Sequence, residues 1–249
     1  MNRQEKSKDL RNEYFLEDNM FENDPDLKEI YHQYVFGDVY HHGSLQLGLR
    51  EMITIACLTT SYTLETLENH IHCALKANVT PIQIKEVIYQ CTPYIGFLKV
   101  SSALKIVNKV FKQEQISLPL ESMSTVNEET RFEHGFDVQS EIFGREHIQA
   151  NHDQAPQELK HIQDYLSAYC FGDFYTRKGL DLKQRELMTF IMIATLGGCE
   201  NQLRGHTQAN INVGNTRETL IEAITQCQPY IGFPRTLNAI GIINEVTLK

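Results

Sequence analysis

The chain is predicted to be all-α, built from two tandem copies of one helical module. Three observations lead there. Two sequence blocks recur in order, the apolar residues of both copies keep helical spacing, and 249 residues suffice for two modules of roughly 100–150 residues each. The first block, FGDVYHHGSLQLGLRE (Phe36 to Glu51), returns as FGDFYTRKGLDLKQRE (Phe171 to Glu186) at an offset of 135. The second, QCTPYIGF (Gln90 to Phe97), returns as QCQPYIGF (Gln226 to Phe233) at an offset of 136. The register then holds through Ala103/Ala239, Ile106/Ile242, Asn108/Asn244 and Val110/Val246. A one-residue indel between the blocks accounts for the change of offset, and a self-similarity this long marks a duplication.

The elements follow in order within each copy. Pro25 to Tyr34 and Pro156 to Tyr169 carry apolar residues three and four apart, Leu27, Ile30, Tyr31 and Tyr34 against Leu159, Ile162, Leu166 and Tyr169, which predicts an opening helix. Arg50 to Thr60 and Arg185 to Thr195 are apolar almost throughout. They are too long for ordinary strands and read as buried helices. Leu64 to Ala77 and Glu200 to Val213 are amphipathic and stop near Asn78 and Gly214. Pro81 and Thr216 then open the next helices, as a first-turn proline and a capping threonine. Pro-Tyr-Ile-Gly-Phe interrupts each copy before a last helix that reaches Phe111 or Val246. Gln113 to Thr125, with Pro119 and several serines, is the expected linker. The resulting domains are residues 1–112, a linker at 113–128, and residues 129–249.

Composition excludes several functions. A net charge of −9 leaves no surplus of Lys and Arg to displace counterions from a polyanion. Nucleic acid is therefore not expected as a partner. Met1 to Leu10 lacks an apolar core for a signal peptide, and the longest apolar run, Leu187 to Leu196, is too short for a bilayer. The expectation is a cytoplasmic chain with no membrane partner. Six cysteines (57, 73, 91, 170, 199 and 227) form no CxxC pair, so most are expected as free, packed thiols. His41-His42 and His70-x-His72 lack ligand partners at metal spacing, and no metal or cofactor is expected.

The chemistry concentrates in RELMTFIMIATLGGCENQLRGHTQANINVG, Arg185 to Gly214. Glu186 opens an apolar helix, Cys199 follows Gly197-Gly198, and His206 comes seven residues later. Seven residues is close to two helical turns, so Cys199 and His206 share a helix face. A helix start at the glycines puts Cys199 in the first turn, where the N–H groups favour a thiolate. Glu186, on the preceding antiparallel helix, is placed to orient His206. A thiol, an imidazole and a carboxylate are the groups that nucleophilic and proton-shuttle chemistry needs. Spacing alone also fits a core cysteine and a surface histidine. Copy one keeps the carboxylate and imidazole as Glu51 and His70 but has Thr63 in place of Cys199. It is expected to be a degenerate site and a structural partner. Cys73, three residues after His70, is a rival thiol or a packed one.

REL…LGG…H…NVG followed by PYIGFPRTLNA resembles the pattern of the carboxymuconolactone decarboxylase and alkylhydroperoxidase D superfamily. FGREHI (Phe143 to Ile148) and FGDFYTRKGLD (Phe171 to Asp181) resemble the decarboxylase branch. The resemblance implies alkylhydroperoxidase D-like helical modules, a small-molecule substrate and a ring-like homo-oligomer, for a tandem chain a homotrimer. The hydroperoxidase branch uses a CxxC and a following His. Cys199 and His206 match its first cysteine and its histidine, but Gln202 replaces the second cysteine, so the resolving thiol would have to come from another cysteine or from an external thiol reductant. In the decarboxylase branch Glu186, His206, Arg177 and His147 sit where similar residues occur, Arg177 and His147 as substrate-binding groups. The resemblance thus leaves three readings. One is a thiol-dependent oxidoreductase with peroxidase activity, Cys199 the nucleophile, His206 moving the proton and Glu186 holding His206; one is a lyase acting on a small carboxylated lactone, with His206 and Glu186 as acid and base and Arg177 holding the carboxylate; and one is a non-catalytic scaffold. Tyr94-Ile95 and Tyr230-Ile231 are the expected subunit contacts.

Overall fold

The structure is a computed structural model that describes residues 1–16 and 20–248. Positions 17–19 and Lys249, which fall in the expected first and second modules, lie outside the described residues. Helices account for the architecture, and no strand occurs among the described residues. The first module runs α1 (Arg3–Tyr14), α2 (Pro25–Tyr31), a π-helical stretch (His32–Asp38), a short 3-10 turn (Val39–His41), α3 (Leu47–Ser61), α4 (Leu67–Lys76), α5 (Pro81–Gln90), α6 (Thr92–Ile95) and α7 (Phe97–Gln113). The second runs α8 (Arg131–Phe143), α9 (Arg145–Gln154), a 3-10 turn (Gln157–Leu159), α10 (Lys160–Tyr165), a π-helical stretch (Leu166–Tyr175), α11 (Leu182–Leu196), α12 (Glu200–Asn212) and α13 (Arg217–Thr247).

The two apolar helices hold the centre. Every residue from Arg50 to Thr60 and from Arg185 to Thr195 is buried, and α3 packs on α11. A helix that is apolar all round can be stable only when surrounded, and here each copy supplies the cover for the other. One core cluster therefore runs through both modules, from Met52 and Ile84 to Ile191 and Ile243.

The FGD block turns out to be a close-packing device. A Cβ on Gly37 would overlap the carbonyl of Arg3, and one on Gly172 would overlap that of Arg131. Only glycine lets α1 and α8 cross the π-helical stretches at backbone contact. The aspartates that follow fix the crossing, Asp38 by accepting from Arg3 Nη1 at 3.3 Å and Asp173 from Arg131 Nε at 2.8 Å. Sequence periodicity predicts the opening helices to end at Tyr34 and Tyr169. The chain instead continues through the block as π-helix, because the glycine must face α1 or α8.

The break in Pro-Tyr-Ile-Gly-Phe is real in both copies. Gly96 (φ 83°, ψ 160°) separates α6 from α7, and Gly232 (φ 75°, ψ 167°) bends α13 at the matching place. These are conformations that side chains other than glycine rarely adopt. The linker is packed against the fold: Lys178 N–H donates to Met123 O at 2.9 Å, Thr125 Oγ1 donates to Thr176 O at 2.8 Å, and Leu118 and Leu120 reach the core. Of the apolar residues predicted for the opening helices, Leu27 and Ile30 in one copy and Leu159 and Ile162 in the other are about half exposed or more. No helix among the described residues is long and apolar enough to cross a membrane.

Candidate functional site

Two carboxylate–imidazole pairs sit in matching places, one per module. In the second module α11 starts on a capping box, Asp181 accepting from Gln184 N–H and Gln184 accepting from Asp181 N–H. That start sets Glu186 on the second turn, where it is completely buried. α12 returns antiparallel and brings His206 Nδ1 to 2.7 Å from Glu186 Oε2. Asn210, one turn beyond, locks the two helices together. Its amide donates to Glu186 O at 2.9 Å and to His206 O at 2.7 Å.

The carboxylate has a second donor. Tyr175 O–H donates to Glu186 Oε1 at 2.7 Å, and its own oxygen lies 3.3 Å from Tyr94 O–H and 2.7 Å from Thr189 Oγ1. Tyr94 belongs to the first module, so this site is built by both copies. Burial first pushes the Tyr175 and Tyr94 phenols well above their ordinary range, with Glu186 next for Tyr175 and Cys170, then Glu186, for Tyr94. They remain proton donors at any physiological pH. Phe143 closes one side with its ring edge-on to His206, centroids 5.3 Å apart. The His206 side chain keeps 14% exposure, and its Nε2 has no hydrogen-bond partner among the described residues.

The first module repeats the construction. His70 Nδ1 lies 2.8 Å from Glu51 Oε2, Tyr40 donates to Glu51 Oε1 at 2.6 Å, and Phe15 stands edge-on to His70 at 5.5 Å. Here the crossing phenol is Tyr230 of the second module, 3.5 Å from His70 Nε2. The His70 side chain is only 2% exposed. Phe15 is held over it by a reciprocal pair, Leu16 N–H to Asn69 Oδ1 at 2.7 Å and Asn69 Nδ2 to Leu16 O at 2.9 Å.

Cys199 is elsewhere. It caps α12 just outside the first turn, half-buried, with its thiol 3.5 Å from Gly197 O in a small crevice with Arg235 and Asn238. Sharing a face with His206 does not bring it to His206, because seven residues along a helix is about 10 Å. Its counterpart Thr63 pairs with Ser61 at 2.7 Å. The thiols nearer the dyads are inert by environment. Burial, then Glu51, pushes Cys73 upward, and burial pushes Cys170 up to about 12. Cys73 therefore offers no competing thiolate. Cys91 and Cys227 are buried in the core as expected of packing residues.

The substrate-binding pair does not assemble. Arg177 is held by Glu86 of the first module at 2.9–3.0 Å and lies over the Tyr89 ring at 5.3 Å. His147 is exposed on α9, 3.3 Å from Asn151 Nδ2. Glu86 is also bonded by Arg185, whose own guanidinium reaches Gln90 Oε1 at 2.8 Å. His70 is occupied by Glu51 and His72 by Glu114, and no three His, Cys, Asp or Glu gather for a metal among the described residues. Tyr175, Tyr94, Thr189, Asn210 and Phe143 were not among the sequence-predicted site residues. Repetition of FGDxY and of PYIGF was the available signal for the two tyrosines.

The family model described as "Carboxymuconolactone decarboxylase family" matches residues 25–109 and again 160–245. A 4-carboxymuconolactone decarboxylase from Acinetobacter baylyi is 31% identical over 121 residues, 49% of this chain and 90% of that protein. A nitrosuccinic acid decarboxylase from Metarhizium robertsii is 29% identical over 119 residues, 47% of this chain and 81% of that protein. About half of this chain thus spans most of each relative.

Proposed function

The chain belongs to the carboxymuconolactone decarboxylase family, and we propose that it is a lyase that releases CO2 from a small carboxylated substrate at the second-module dyad. One observation carries this reading: His206 has Nδ1 fixed on a buried carboxylate while Nε2 has no protein partner among the described residues and the ring is partly exposed. Decarboxylation breaks a C–CO2 bond and leaves its electron pair on carbon, so a proton must be delivered there. The Nε2–H of a protonated His206 supplies it, and Glu186 holds the imidazolium in place until then. Neutral His206 then regains a proton from solvent. Both relatives are named for decarboxylating small acids, which agrees with this reaction class. Arg177 and His147 have no part in this step.

A thiol peroxidase reading has one observation of its own. Cys199 is the only one of the six cysteines that is not buried, and it caps a 13-residue helix. In that reading its thiolate attacks a peroxide oxygen, and an external thiol reductant resolves the sulfenic acid. His206 would act on neither step. The test is CO2 release from 4-carboxymuconolactone and from nitrosuccinate, beside peroxide consumption with dithiothreitol. His206→Ala should lower decarboxylation at least ~100-fold, with Cys199→Ser unchanged. Peroxide turnover lost in Cys199→Ser, without any decarboxylation by the wild type, would select the thiol reading.

For assembly, we propose a homotrimeric ring. Tyr94 and Tyr230 serve contacts inside the chain, whereas Phe97, Leu98, Phe233 and Leu237 are exposed together with Leu27, Ile30, Leu159 and Ile162. These residues supply the apolar contact surface. Light scattering showing a monomer at micromolar concentration would remove the ring.

A further inference from the structure

A cleft of about 490 Å³ lies between α5, the linker and Arg177, apart from both dyads. That volume is in the range of small-molecule sites. Its walls combine apolar side chains of the linker, Leu118, Leu120 and Met123, with the ring of Tyr89. Its polar end is unusual. Lys85 is only 8% exposed, yet no carboxylate pairs with it among the described residues. Its ammonium bonds Asn108 Oδ1 and stands 5.8 Å from the Phe111 ring centroid. An ammonium has three donors, so its protein contacts leave capacity for a ligand.

The other charged groups at the cleft do not supply the missing anion. Glu86 is engaged by two guanidiniums, those of Arg177 and Arg185. Glu121 lies on the exposed linker. Burial shifts the Lys85 ammonium below its ordinary range, which is the cost an arriving anion would offset.

The internal repeat separates this arrangement from the needs of the fold. Glu86/Glu222, Gln90/Gln226 and Asn108/Asn244 are retained in both copies, but Lys85, Tyr89 and Arg177 face Ile221, Thr225 and His42 at the matching positions. Asn244 is bonded by the half-buried Arg217, so holding this asparagine does not require a buried ammonium. The three cleft residues, two from the first copy and Arg177 from the second, are peculiar to one of the two matching places, the one over which the linker passes.

We propose that this cleft binds a small carboxylate with an aromatic or apolar body, its anionic end on Lys85 and its body against Tyr89 and the linker. The site is distinct from the dyads, and its occupancy is measured without turnover. The probe is benzoate, titrated into the full chain labelled with methyl-13C methionine, with the Met123 methyl resonance as reporter. A saturable shift is expected below about 10 mM, the affinity range of a few kcal/mol. Lys85→Ile, which installs the residue of the other copy, and Lys85→Gln should each weaken it at least tenfold. His206→Ala should leave it unchanged. Absence of a saturable Met123 shift, equal binding in both Lys85 variants, or equal binding of benzyl alcohol would overturn the proposal.

Discussion

The two dyads are built from the same parts and differ at one nitrogen. Glu51–His70 and Glu186–His206 have nearly equal separations, 2.8 and 2.7 Å, and each carboxylate takes a phenol from its own module. Each is capped by a phenylalanine at the end of a first helix, Phe15 or Phe143. The crossing tyrosine makes the difference. Tyr230 meets the outer nitrogen of His70, whereas Tyr94 turns to Tyr175 and Thr189 and leaves that of His206 open. A buried dyad with both nitrogens occupied is a structural element, and one with an open nitrogen can exchange protons. Thr63 in place of Cys199 does not separate the copies in this respect, since neither residue belongs to a dyad.

The largest effect should come from the carboxylates. Glu186→Gln keeps the shape but removes the charge that supports an imidazolium, and decarboxylation should fall by roughly 10²–10⁴-fold. Glu51→Gln should leave turnover within about threefold, because the first dyad moves no proton in this account, and should appear instead as a lower melting temperature, a buried charged hydrogen bond being worth about 1.5–3 kcal/mol. Equal losses of turnover would break the distinction between the modules. The next comparison concerns what the copies share. Gly37→Ala and Gly172→Ala each force a helix crossing apart and should cost about 1–3 kcal/mol, measured as a fall in urea midpoint. If one proved neutral, the crossing would not be equivalent in the two copies. The effect that is smallest near neutral pH is on the alkaline limb. Cys91 and Cys170 are raised to about 12 in the folded chain. Their contribution is therefore fully present below the unfolded thiol value and lost as pH rises from about 8.5 towards 12. The slope is at most about 1.4 kcal/mol per pH unit for each thiol. Urea midpoints measured across that window should decline, and Cys170→Ala should flatten the decline.

Much of this was legible in the sequence, for physical reasons that also explain what was not. Repetition and apolar periodicity report local geometry, so α3 and α11 could be read as buried helices residue for residue. Glu186 and His206 could be paired because antiparallel neighbouring helices leave few partners for a buried carboxylate. Cys199 was misplaced because a shared helix face is not proximity: seven residues also fix a separation of about 10 Å along the axis. The PYIGF tyrosines read as subunit contacts because repetition signals an interface without saying which one. They serve the interface between the two modules. α1 escaped notice altogether. Its match to α8 stands at an offset of 128, Arg3 with Arg131 and Phe15 with Phe143, and the longer connection containing α9 shifts the register to 135.

His206 presents an open imidazole nitrogen and His70 does not. Limiting diethyl pyrocarbonate modifies accessible imidazole nitrogen in its uncharged form, so the reaction is followed as pH is raised from neutral, and peptide mass mapping resolves the ten histidines. His206 should react rapidly as its uncharged form appears, with His70 protected until the chain is unfolded and exposed early in the Phe15→Ala, Tyr230→Phe double variant. Equal modification of His70 and His206 in the native chain, or protection of both, would contradict it.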